Sequence, residues 1–187
     1  MRAIPGQGTE VPITLLGSSV YSAQLAAYLG LPFAFAAHFA PDYLYEASRM
    51  YRTQFRPRVL KKPHLIAAVP VVAAETDERA QWLFTSPQQR FLRLVRNQPV
   101  ELVPPVNSLD EMERPWSALE REAVKSKLAA AIVGSNATVK AGIEELLART
   151  GADEVIVVTD LFAHADRLES YERVAEVARE LGEARVA

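Results

Sequence analysis

The segment Gly17-Ser18-Ser19, followed by Ser22, sets three hydroxyls beside a glycine, just past the apolar run Val11-Pro-Ile-Thr-Leu-Leu16. So short a run suits a strand. The stretch Val20 to Leu29, where Tyr21, Leu25 and Tyr28 or Leu29 recur at helical spacing, suits a helix. The hydroxyls then stand at a helix N-terminus, where unpaired N–H groups and the positive dipole end offer a seat for an anion such as a phosphate. Plain capping explains the same residues, because an N-cap serine accepts from a first-turn N–H. The segment is not a P-loop, since Gly-x4-Gly-Lys-Ser/Thr is absent. A second hydroxyl-rich start, Ser135-Asn136-Ala-Thr138 after Gly134, carries Lys140 in its first turn. A cation there opposes the dipole unless an anion is bound, although a capped helix with a solvated lysine fits as well.

His38 and Phe39 close the run Phe33-Ala-Phe-Ala-Ala37. A histidine at a strand end can line a ligand pocket, serve as a general acid or base, or simply bond to backbone. His64 lies at a strand start, on the opposite rim, and reads as structural; His164 opens the last helix after Asp160. No histidine pairing has metal-ligand spacing, and no Gly-x-Ser-x-Gly elbow occurs. The chain has no cysteine, which removes disulfides, thiolate metal sites and cysteine nucleophiles together.

The elements that must position these residues alternate. Short apolar runs at Val11–Leu16, Phe33–Ala37, His64–Ala74 and Glu154–Thr159 are each followed by a helical pattern, giving four βα units and an α/β fold with a parallel sheet. Pro70 inside the third run predicts a bulge, an irregular start or a sheet edge. Gly30 and Gly151 are helix stops, Pro41 opens a helix, and Ser117-Ala-Leu-Glu120 has capping-box spacing. Ile132-Val-Gly134 reads as a short link. An insertion spans approximately 85–131, and its least regular part, 98–115, contains Pro99, Pro104, Pro105 and Pro115. In parallel α/β folds ligands gather where strands end and helices begin, here at 17–22, 37–42, 75–77 and 159–164.

With 187 residues, 49% of them apolar and 24% charged, the composition is that of a globular chain and excludes disorder as its main state. The net charge of -2, from 21 basic and 23 acidic residues, leaves no basic excess for a nucleic-acid partner. No run of eighteen apolar residues suits a membrane span, and the start Met1-Arg-Ala-Ile-Pro lacks signal-peptide character. A cytoplasmic location is the expectation.

Taken together, Val11 to Ser19, Ser22-Ala-Gln-Leu-Ala-Ala27, Gly30 to Pro41, Arg56-Pro-Arg58, Pro70 to Thr76, Pro104-Pro-Val and Val133-Gly-Ser resemble the luciferase-like flavin monooxygenases, relatives of bacterial luciferase. The resemblance covers nearly the whole chain in unbroken order. It implies a TIM (β/α)8 barrel that binds reduced FMN and uses O2 to oxidise a small organic substrate. It implies that Gly17, Ser18, Ser19 and Ser22 hold the flavin phosphate, and that His38 and Phe39 lie on the flavin or substrate rim. No catalytic residue carries over.

The resemblance also sets Val11–Leu16 at the family's fifth strand, so residues 1–187 correspond to the C-terminal half of the barrel as one domain. A half barrel exposes two sheet edges. A homodimer or a complementary half-barrel chain is therefore expected to complete it, with a flavin reductase as a possible further partner. The competing expectations are a non-catalytic half-barrel homodimer that binds flavin or phosphate, a structural remnant, and a general phosphate-binding module built on the two helix starts.

Overall fold

In the computed structural model, described over residues 4–111 and 116–186, every paired strand runs parallel to its neighbour. Pro115 and residues 1–3 lie outside the described residues. The element order is β1 (Leu15–Gly17), α1 (Val20–Leu29), β2 (Phe33–Ala36), α2 (Leu44–Gln54), β3 (Leu65–Ala73) and α3 (Asp77–Val95). There follow α4 (Ala118–Lys127), β4 (Ile132–Gly134), α5 (Asn136–Thr150), β5 (Glu154–Val158) and α6 (His164–Val186). β3 is the hub, pairing with β2, β4 and β5.

Register divides the sheet into two unlike faces. Leu15, Phe33 and Leu65 are aligned, as are Gly17, Phe35, Ala67 and Val155, and this face carries the large buried side chains. Phe33, Phe35, Leu65, Val69 and Val71 pack against Ala23, Ala26 and Ala27 of α1 and Leu44, Ala47 and Tyr51 of α2. Val139, Ile143 and Leu146 of α5, with Val174 and Val177 of α6, complete that layer. The opposite face carries Leu16, Ala34, Ile66, Ala36, Ala68 and Ile156. Leu16 and Ile156, on the two outermost strands, are 67% and 48% exposed.

β1 is shorter than the apolar run that announces it. Val11 and Ile13 are exposed and outside the strand, because β1 is an edge with no neighbour on its outer side to continue the ladder. The helix stop at Gly30 is as the sequence requires. Its φ of 65° is left-handed, and a Cβ would fall 2.6 Å from the Arg56 carbonyl oxygen.

Two expectations are corrected. Ile132–Gly134 is not a link but a strand, β4, aligned with Val71–Ala73. Pro70 sits neither at a bulge nor on an edge strand; it lies inside β3, the central strand. Its missing N–H explains the tolerance. Along a strand, alternate residues address opposite neighbours. The carbonyls of His64 and Ala68 accept from β2 and its extension, and Ala74 donates to Gly134 of β4, so even-numbered residues face that side. β2 ends at Ala36, opposite Ala68, and β4 begins opposite Val71. Pro70 thus faces the gap between two successive neighbours, where no ladder donor is required.

The segment after β3 begins with a long helix. α3 continues to Val95 with Pro87 inside it. Buried Thr85, Ser86 and Gln89 then pin the irregular stretch across α3. The Thr85 hydroxyl accepts from Val106 N–H at 2.9 Å, Ser86 donates to the Val103 carbonyl at 2.6 Å, and Gln89 donates to that of Pro104 at 2.9 Å. Ser117 and Glu120 form the expected capping box at α4.

Candidate functional site

Because the strands are parallel, Gly17, His38 and Asp160, which end or follow β1, β2 and β5, lie at one end of the sheet. Two features stand there. The first is the N-terminus of α1. Ser19 is the N-cap: its hydroxyl accepts from Ser22 N–H at 3.2 Å, and Ser22 Oγ accepts from Ser19 N–H at 3.3 Å while donating to the Ser19 carbonyl at 2.8 Å. Gly17 makes this box possible by close approach, since a Cβ there would fall 2.2 Å from Ser22 Oγ. The hydroxyls of Ser19 and Ser22 therefore hold each other. The Ser18 hydroxyl makes no hydrogen bond among the described residues. The first-turn N–H groups of Val20 and Tyr21, next in the chain, have no acceptor within the helix.

The second feature is a cavity of about 320 Å³. Its wall is one face of α3, formed by Phe84, Pro87, Phe91 and Leu94 at three- and four-residue steps, and its floor includes Pro70, Val72 and Val158. Val100 reaches it from the pinned irregular stretch. His38 and Phe39 line it together, with ring centroids 4.4 Å apart. His38 N–H donates to the Ala68 carbonyl at 3.2 Å, while its Nδ1 lies 3.5 Å from the same oxygen, at the limit of a hydrogen bond. The cavity's charged groups are Arg90 and Asp160, which form an ion pair.

Sequence reasoning missed Arg90 and the apolar wall, because apolar residues at helical spacing mark a core-facing stripe as readily as a cavity wall. The signal was available in the 84, 87, 91, 94 spacing with one arginine on the same face. Asp160 falls within the strand-end segment 159–164 that the parallel-sheet rule marks.

The hydroxyl-rich start at Ser135 does not offer a comparable seat. Ser135 makes no side-chain cap bond. Instead the Asp77 carboxylate accepts from Ser135 N–H at 2.6 Å and from the Thr138 hydroxyl at 2.8 Å. Those donors hold the Asp77 carboxyl below its usual range. An anion from the protein already occupies the place, Lys140 pairs with Glu180 at 2.9 Å and Asn136 donates to Glu176. His64 pairs with Glu154 at 2.7 Å at the other end of the sheet, and His164 opens α6. Among the described residues no cluster of ligating side chains could hold a metal ion, and no helix is long and apolar enough to cross a membrane.

A parallel α/β sheet with a serine-capped helix N-terminus and an apolar cavity at its strand ends is the layout of a barrel-type ligand-binding fold. Residues 1–154 match the Luciferase-like monooxygenase family, and the chain belongs to that family. It is 44% identical over 182 residues to a protein of Escherichia coli K12 named Luciferase-like monooxygenase, covering 97% of this chain and 53% of that protein. The crystal structure of apo-MsnO8 superposes with a TM-score of 0.79 at 33% identity, covering 94% of this chain and 53% of that one. The oxygenating constituent of 3,6-diketocamphane monooxygenase, a type II Baeyer–Villiger monooxygenase solved in complex with FMN, shares the fold at a TM-score of 0.50 and 18% identity, covering 87% of this chain and 46% of that one. The chain thus spans about half the length of the relatives it matches.

Proposed function

We propose that this chain is the C-terminal part of an FMN-dependent, luciferase-like monooxygenase that oxidises a small organic substrate with O2 once its barrel is completed. The observation that carries the reading is the placement of the α1 N-terminus and the apolar cavity at the same end of one parallel sheet. The chemistry of the donors is compatible with the phosphate of FMN: the Ser18 hydroxyl makes no other hydrogen bond among the described residues, the first-turn N–H groups of α1 need acceptors, and the Ser19–Ser22 box braces that turn. When bound, FMN supplies the redox chemistry with O2. The chain's own residues bind and orient. Gly17 lets β1 approach α1, and Phe39 and His38 shape the rim. The wall of Phe84, Phe91 and Leu94 shields the substrate from water.

The open outer edges of β1 and β5, with Leu16 and Ile156 exposed beside them, support completion by a second copy of the chain or by a complementary half-barrel chain. The same edges favour the second reading, a half-barrel homodimer that binds flavin without turnover. Oxygen uptake with reduced FMN and an oxidisable organic substrate separates the two. Product formation beyond that of free flavin is expected from the completed assembly. Flavin binding with no coupled product leaves the non-catalytic reading, and a monomer in solution that binds no flavin defeats both.

A further inference from the structure

The cavity carries more information than its location. Its lining is apolar apart from His38 and the Arg90–Asp160 pair. A cavity of 320 Å³ holds on the order of ten water-sized atoms, which sets the scale of an occupant. The charged pair decides what kind of occupant. Arg90 spends one terminal nitrogen on Asp160, leaving guanidinium N–H donors without partners among the described residues. A carboxylate or sulfonate brought to those donors would meet Asp160 beside them, and an ammonium brought to Asp160 would meet Arg90. Each ion would lose its water shell for a neutralised partner, which is a poor exchange in an apolar cavity. An uncharged acceptor such as a carbonyl takes a charge-assisted hydrogen bond from Arg90 without that repulsion.

We infer that the site selects uncharged substrates with a hydrocarbon body and one hydrogen-bond acceptor, and that Arg90, neutralised by Asp160, is the residue that sets this selectivity. The inference rests on the reading of this end of the sheet as the substrate side, but its test requires no flavin. The side chains of Arg90 and Asp160 are 35% and 44% exposed, so either can be replaced without leaving a fully buried charge.

The full chain is titrated with 2-nonanone, octanoate and nonylammonium, followed by ligand-observed NMR. The ketone should bind at least about tenfold more tightly than either ion. Asp160→Asn should strengthen octanoate binding several-fold and leave the ketone little changed. Arg90→Met should do the reverse, favouring nonylammonium and weakening the ketone. The two variants move selectivity in opposite directions, so a general loss of folding cannot imitate the result. Octanoate binding as tightly as the ketone, variants that leave the preference unmoved, or no binding of any probe would overturn the inference. An FMN titration run alongside keeps the two proposals apart. Ketone binding without FMN binding defeats the monooxygenase reading alone, and FMN binding without ketone preference defeats the selectivity alone.

Discussion

In a Gly17→Ala variant the new Cβ falls 2.2 Å from Ser22 Oγ and 2.4 Å from Ser22 Cβ. The second distance decides the outcome. Rotating the Ser22 hydroxyl clears Oγ, but Cβ is fixed to the backbone of α1, so either β1 or the helix must move. That movement breaks the reciprocal Ser19–Ser22 bonds. Loss of a serine cap costs about 1 kcal/mol, and forcing an extra methyl into a packed position costs about 1–3 kcal/mol, so a destabilisation of about 2–4 kcal/mol is expected. Urea unfolding followed by far-UV circular dichroism measures it. The partner variants sharpen the test. Ser22→Ala keeps the offending Cβ and should not rescue Gly17→Ala, whereas in a Ser22→Gly background the same substitution should cost less than about 1 kcal/mol. A Gly17→Ala protein within about 0.5 kcal/mol of the parent, or rescue by Ser22→Ala as complete as by Ser22→Gly, would refute the reasoning.

Other consequences follow from single groups. The buried Tyr51 hydroxyl donates to the Leu31 carbonyl at 2.7 Å and accepts from His64 N–H at 3.0 Å, so Tyr51→Phe strands both and should cost about 1–3 kcal/mol in chemical denaturation; no measurable loss contradicts this. Asp77→Ala should speed hydrogen exchange at the Ser135 amide, with Asp77→Asn intermediate, because the carboxylate caps α5 from outside the helix. Glu120, held by Arg96 and by Ser117 N–H, has its carboxyl pulled down from 4.5 to about 2. Because the folded value is the lower one, its contribution is complete above pH 4.5 and is lost as the pH falls toward 2. Trp116 fluorescence beside α4 should report that loss in the parent, and Glu120→Gln should reduce the pH dependence in that window.

Much of the fold was legible because its signals are local. Gly30, Gly151 and the Ser117–Glu120 box are fixed by the backbone conformations and caps that only such residues supply. β4 was not legible, because three residues ending in glycine carry no periodicity; only the extended tail of β3 gives them a partner. Pro70 misled for a related reason: a proline forbids a donor, and whether a donor is needed depends on where two other strands stop and start. At the site, residues adjacent in sequence were found together, Ser19 with Ser22 and His38 with Phe39. Arg90 and Asp160 meet across 70 residues of chain, and Asp77 reaches Ser135 across 58, so no local pattern announces either.

The central claim is that the α1 N-terminus holds the phosphate of FMN, and comparing FMN with riboflavin tests it most directly. The two differ only by that phosphate. Fluorescence titration of the assembled protein should show FMN binding more tightly by at least about tenfold, with the advantage sharply reduced in Ser18→Ala. Equal affinity for FMN and riboflavin, or an FMN advantage untouched by Ser18→Ala, would contradict the account.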